Sequence, residues 1–409
     1  MAFYLGDTKL TGTGVQVDDS LSSTSTNPVE NKAVTEALTD VGYSEWQKPS
    51  DWIDIRSGAL PNSVYFLVAH SSDYTTYPEF VVRATVSNSG TYDVYVDGIK
   101  RATTASGTAT TLNWQTLALA SGFDTIYPSS LRTHIVRVTP SVDTNAITAV
   151  RATPDSFTAV QGLLWVHFTL DNNISLENFG GIPGTNSVNT ICQAITSSTG
   201  YIKATSLSRA FYRMTALKNL PILKGQSNPT VAAAVIEYDD NLEVVTFSGG
   251  KYNTASGFQS VPKLKKIYAT DGAVFYGNEM FHNAPNLQNL VTCDWNILDT
   301  FAYMFSGDNN LLPFTVDLSS NTTLKRFHSG GTFSLKGVTV SNQAPFTGTS
   351  PQIDIRYTGL DRSALVNLFN SMPTVTGSQV CNVTGCTGAA ELTASDIAIA
   401  TEKGWTITR

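Results

Sequence analysis

Met280-Phe281-His282-Asn283-Ala284-Pro285-Asn286-Leu287-Gln288-Asn289-Leu290 carries two apolar anchors six residues apart, Phe281 and Leu287, with Leu290 three residues further on. The same spacing recurs on both sides. Leu217, Leu242, Leu264, Leu287 and Leu311 follow one another at intervals of 25, 22, 23 and 24 residues, and six residues before them stand Phe211, Ile236, Phe258, Phe281 and Phe305. Leu220, Val245, Ile267, Leu290 and Phe314 lie three residues after these leucines, and Leu324/Phe327 and Leu335/Val338 continue the pairing. Polar runs such as Asn283-Ala-Pro-Asn286 and Asp308-Asn-Asn310 turn the chain between anchors. The pattern predicts one coil per repeat, with the leucine pair around a short strand and the phenylalanine plugging the core from the opposite wall. A single coil cannot bury its apolar side alone, so neighbours must stack.

Working outward, periods of 20–29 residues are those of leucine-rich repeats, and a solenoid is expected over residues 156–350. Leu164-Trp-Val166-His-Phe168 and Ile174-Ser-Leu176 are expected in an earlier coil. Residues 351–409 read as a C-terminal cap. They hold an amphipathic helix after Asp361, a second one stopped at Gly404 in the favoured position, and a last strand at Trp405-Thr-Ile407. Residues 44–155 read as a β-sandwich. Tyr92-Asp-Val-Tyr-Val96 alternates and ends in the Asp97-Gly98 turn signal, and further strands are expected at Phe80, His134 and Ile147. Residues 1–43 read as an attachment and oligomerisation segment. A polar tether leads to a helix capped by Asn27, with Pro28 in its first position and Val34, Leu38 and Val41 at helical spacing. So short a helix is marginal alone and needs a partner: copies of itself, or its own domain. The fold class expected is mainly β with short helices (α+β).

Composition excludes several functions. Charged residues are 14% of the chain, against roughly 25% in ordinary globular chains. The net charge is −7, and no basic stripe marks a nucleic-acid partner. No stretch reaches the ~20 apolar residues of a membrane helix, and Met1-Ala2-Phe3-Tyr4-Leu5 lacks the features of a signal peptide. The five histidines, His70, His134, His167, His282 and His328, show no metal-ligand spacing. No catalytic residue, metal site or cofactor is expected. Asp239-Asp240 and Asp18-Asp19 read as solvated corners rather than acid/base pairs. Cys192, Cys293, Cys381 and Cys386 read as buried thiols, with a Cys381–Cys386 bridge left open. Tyrosine gives contact area at little entropic cost, so Tyr238, Tyr252, Tyr268, Tyr276 and Tyr303, with Tyr201, are candidate binding residues that could alternatively pack between coils.

Ser23-Thr-Ser-Thr-Asn-Pro-Val-Glu-Asn-Lys-Ala-Val34 resembles the S-T-N-P-V-x-N-K-x-V element of phage tail-fibre and head-fibre proteins. Trp46-Gln-Lys-Pro-Ser-Asp-Trp52 is similar to the W-x-R-P-S-D-W opening of a β domain in such fibres. Met280-Phe281 and Tyr303-Met-Phe305, ahead of their leucines, resemble BspA-like leucine-rich repeats, although His282-Asn283-Ala284 departs from the Cys or Ser usual after the phenylalanine. Leu392-Thr-Ala-Ser-Asp-Ile-Ala-Ile-Ala-Thr-Glu-Lys-Gly-Trp405 looks like the segment that often ends those repeats. The resemblance implies a phage virion fibre, assembled in the host cytoplasm and trimeric. It would join other virion proteins through its N-terminal segment and bind a host surface glycan or protein. A bacterial surface adhesin and a virion glycan-degrading enzyme are the alternatives, and head fibre versus tail fibre stays open.

Overall fold

The computed structural model describes residues 3–5, 8–10 and 46–409, apart from 72–73, 75–76, 78, 119–130, 153–161, 181–190, 227–229, 290–292, 294–299, 302–304, 306–309, 320, 322–324, 330, 333, 341–345, 347–349 and 378. The helix expected to carry Val34, Leu38 and Val41, and Tyr303 among the candidate tyrosines, lie outside the described residues. Residues 1–46 and 47–409 are separate compact units. The first contains an antiparallel pair, β1 (Phe3–Leu5) and β2 (Thr8–Leu10).

The second unit begins with β3 (Val64–Ser71), β4 (Glu79–Val86), β5 (Thr91–Val96), β6 (Ile99–Ala105), β7 (Ala109–Asn113), β8 (Leu131–Pro140) and β9 (Ile147–Arg151). β5 is followed by Asp97, which takes the positive φ of 49° that a tight hairpin needs. β10 (Leu163–Phe168) and β12 (Ala194–Ser197) join β3, β8, β5 and β6 in a six-stranded sheet, while β4, β7 and β9 start a second sheet. The two sheets share one core: the Phe66 and Phe80 rings lie 5.3 Å apart, and Tyr92 and Trp114 are wholly buried.

The second sheet then turns parallel. β9 pairs with β11 (Ile174–Leu176), followed by β13 (Tyr201–Ser206), β14 (Ile222–Gly225), β16 (Val244–Ser248) and β18 (Lys266–Thr270). The chain is mostly β, and a β-solenoid of about nine turns occupies residues 149–408. It therefore starts inside β9, which is shared between the antiparallel and parallel parts of one sheet. Of the two segments expected in an early coil, Ile174-Ser-Leu176 is a solenoid strand, whereas β10 pairs antiparallel with β3 in the other sheet.

The central coils add two further ladders. One is the parallel set β15 (Thr230–Val231), β17 (Lys251–Asn253) and β19 (Val274–Tyr276). The other is a turn segment whose alternate N–H groups donate to the next coil. Arg209, Phe211 and Arg213 donate to the carbonyls of Ala233, Val235 and Glu237; Ala234, Ile236 and Tyr238 to Ala255, Gly257 and Gln259; Ser256, Phe258 and Ser260 to Asn278, Met280 and His282. This requires left-handed backbone at two fixed places, eight and four residues before the anchor leucine: Arg209 and Arg213, Ala234 and Tyr238, Ser256 and Ser260, Glu279 and Asn283 all have φ between 52° and 64°. Between them the expected plugs stack. The rings of Phe258 and Phe281 lie 5.7 Å apart at 10°, and those of Phe281 and Phe305 lie 5.9 Å apart at 7°. All five plugs and Leu217, Leu242, Leu264 and Leu287 are wholly buried.

Later coils contain β20 (Thr300–Phe301), β21 (Phe314–Asp317), β22 (Arg326–His328), β23 (Leu335–Thr339), β24 (Ile353–Asp354), β25 (Gln379–Asn382) and β26 (Trp405–Thr408). Helix Arg362–Ser371 is capped by the Asp361 side chain, which accepts from the Ala364 N–H. Helix Ala394–Thr401 has a reciprocal Thr393/Asp396 capping box. Arg362 joins the two helices through a forked contact to Asp396 at 2.9 and 3.1 Å.

Candidate functional site

The coil geometry sorts outward side chains onto three faces. On the face of the main parallel sheet, strand alternation sends Ile202, Leu223, Val245, Phe247 and Ile267 into the core. Tyr201, Lys203, Ile222, Lys224, Thr246 and Tyr268 point outward. Tyr201 is in register with Ile222, and Thr246 with Tyr268. At the usual strand spacing the two tyrosines are roughly 14 Å apart. Lys224 Nζ lies 4.2 Å from the centre of the Tyr201 ring, and Lys203 pairs with Asp171 at 2.8 Å. Tyr276 stands on a different face, beside Asn253 on the second ladder. Tyr238 belongs to the third, the turn face, with Arg213, Glu237, Gln259 and His282, and its ring meets that of the buried Tyr212 edge to face.

The candidate tyrosines are therefore not one site. Tyr252 is no surface residue at all: it is wholly buried. Its hydroxyl accepts from the Gly225 N–H at 2.6 Å and lies 2.9 Å from the carbonyls of Leu223 and Ser248, and burial pushes its pKa up to about 12. Its register partners explain this. Thr230 and Phe275 occupy the same place in their coils and are also buried.

Asp239 is a second correction. Expected at a solvated corner, it is wholly buried three residues before Leu242, where the other coils place Met214, Val261 and Ala284. The Met214 N–H donates to its Oδ1 at 2.7 Å, Oδ2 has no partner, and burial holds its pKa well above the usual carboxylate range. Asp240 next to it is exposed. The four cysteines are free thiols; Cys386 Sγ contacts the Ile355 carbonyl at 3.0 Å.

Sequence spacing missed one pair. His70 and His134 come from the neighbouring strands β3 and β8, and their Nε2 atoms meet at 3.1 Å. His70 Nδ1 bonds to the Ser71 carbonyl at 2.7 Å and His134 Nδ1 to Asp97 at 2.6 Å. Trp114 stacks on both rings. The carbonyl can only accept, so His70 Nδ1 holds a proton, and the two remaining contacts need one proton each. Burial lowers the His70 pKa to about 4. Pairing across strands, invisible to linear spacing, brings these side chains together.

Two clefts open near Pro61, of about 450 and 440 Å³. Arg56, His167, Thr169 and Ser197 line the first, and Asp93, Tyr95, Arg137 and Ser141 the second. Arg56 is held by Asp54 at 2.7 Å, and burial lowers His167 to about 4. Asp93 already receives Thr103, Ser141 and Lys100. Among the described residues no group of three His, Cys, Asp or Glu side chains could hold a metal ion, and no helix is long and apolar enough to cross a membrane. No known protein family, curated protein or solved structure matches this chain.

Proposed function

We propose that this chain is a fibre protein of a bacteriophage virion whose solenoid binds a glycan of the host surface. In this reading the coils are leucine-rich repeats of the BspA-like kind, residues 44–155 are a β-sandwich spacer, and the two C-terminal helices cap the stack. The observation that carries the binding role is the set of regular outward faces, on one of which Tyr201, Ile222, Thr246 and Tyr268 line up across four coils of a parallel sheet, with Tyr238 and Tyr276 on the other two. Tyrosine rings stack on sugar rings and give rigid contact area, and hydroxyl and amide groups match sugar hydroxyls. The chain works by binding rather than by catalysis.

Labelled full-length chain incubated with host cells and with an unrelated bacterium tests the reading. Selective attachment to the host that competes with phage adsorption is the expected result. Attachment to neither cell, while antibody places the chain on the virion, leaves it a structural decoration and ends the receptor role.

A further inference from the structure

We propose that Arg213, Arg209, Tyr212 and Tyr238 on the turn face form a site for the carboxylate of an acidic sugar, a uronic or sialic acid. This rests on the glycan-binding reading and gives it a ligand class and a place. Arg213 lies four residues before its anchor leucine, the same place Tyr238 holds in the next coil, so the stacking of coils sets one side chain on the other. Its guanidinium carbon is 4.8 Å from the centre of the Tyr238 ring and 5.5 Å from that of Tyr212. The two rings meet edge to face at 5.8 Å, and Arg213 Nε donates to the Tyr212 hydroxyl at 3.1 Å. With Nε bonded to Tyr212 and the guanidinium set beside both rings, the two terminal nitrogens remain as a planar fork. That is the geometry which receives a carboxylate through two parallel bonds. The ordering that binding ordinarily costs a long side chain is largely complete beforehand.

Many cations of the chain have an acidic partner: Arg83 with Glu177, Lys203 with Asp171, Lys265 with Glu243, Arg356 with Asp354, Arg362 with Asp396. Among the described residues neither Arg209 nor Arg213 has one within 4.0 Å. Glu237 is the carboxyl best placed to supply it, since the Arg213 N–H donates to its backbone carbonyl. Among the described residues its side chain makes no ion pair, however, and its burial, ahead of the opposing pull of Arg209 and Arg213 and with Glu279 adding to it, lifts its pKa to about 7. Gln259 and His282, in the two following coils, add amide and imidazole groups within reach of sugar hydroxyls on the same face.

The test titrates the full-length chain with glucuronic acid, N-acetylneuraminic acid, glucose and inorganic phosphate. Acidic sugars bind in the millimolar range expected of a single site, and glucose binds at least about 10-fold more weakly, as the loss of charge-assisted bonds implies. Arg213→Gln loses about 10-fold or more, and Arg213→Lys does not restore it, because an ammonium cannot form the fork. Val142→Ala, at an exposed position between β8 and β9, leaves the titration unchanged. Equal affinity of native chain and a normally melting Arg213→Gln, equal affinity for glucose, or competition by phosphate at the same concentration as the acidic sugars each overturns the proposal. Host-cell attachment retained by Arg213→Gln overturns the site while leaving the receptor role standing.

Discussion

Asp239 is the residue whose environment most contradicts its chemistry. A carboxylate in an apolar core is far costlier than a neutral acid, and here one oxygen has a single N–H donor and the other has none. Because its folded pKa lies above the unfolded one, the folded state holds the proton more tightly. The stability of the fold is therefore undiminished by Asp239 below the unfolded pKa near 4 and falls as pH rises toward the folded pKa, by up to ~1.4 kcal/mol per unit. Asp239→Asn keeps an acceptor for the Met214 N–H and removes the titration. Chemical denaturation at pH 4 and pH 8 should show the variant gaining on the native chain at pH 8 and not at pH 4. An equal effect at both would mean that the acid is not the source of the pH dependence. The residue was legible in part: aligned on the anchor leucines, its column reads Met214, Asp239, Val261, Ala284. Three apolar neighbours in register say "inside", while the pair Asp239-Asp240 read alone says "corner". Tyr252 is the same case, with Phe275 as the neighbour that betrays it.

At the scale of the coil, the anchors were legible because they are chemically uniform and keep phase over five repeats. The left-handed turn ladder was not, because its positions are filled by Arg, Ala, Ser, Tyr, Glu and Asn rather than glycine, so no residue type marks them. These residues are held where isolated L-residues lose about 1–2 kcal/mol, which the inter-coil hydrogen bonds offset. Two predictions separate the contributions. Phe281→Ala removes the middle ring of the Phe258–Phe281–Phe305 stack and should cost about 3–5 kcal/mol, measured by denaturant unfolding. Ser256, at φ 52°, tests the ladder. Ser256→Val, β-branched in the left-handed region, should lower the melting temperature, while Ser256→Gly should hold or raise it, since relief of about 1–2 kcal/mol exceeds the ~0.5–1 kcal/mol entropic cost of glycine. A valine variant as stable as the native chain would mean that the turn segment is not held in this conformation. The junction at β9 was illegible for another reason. Its antiparallel partner β4 and parallel partner β11 make it a strand of both regions, and composition does not change across it.

At the scale of the whole chain, the first unit is small and the second holds the outward faces, so the proposed fibre would divide attachment and recognition between different parts of one sequence. Residues 27–41 have the caps and spacing of a helix too short to stand alone in water, with Val34, Leu38 and Val41 as its apolar stripe. We therefore expect the full-length chain to be a homotrimer and a chain lacking residues 1–43 to be a monomer, which multi-angle light scattering decides. The consequence for binding is quantitative. A single sugar site of millimolar affinity does not hold a particle to a cell. Three sites engaged together gain avidity of about 10²–10⁴ over one, provided that the spacing lets them act at once. The shortened chain should then match the full-length chain in titrations with a monosaccharide, where each site acts alone, and fall behind it by that factor in attachment to host cells. A monomeric full-length chain would remove the avidity argument. A trimer that attaches to cells no better than the shortened chain would show that its three sites cannot reach the surface together.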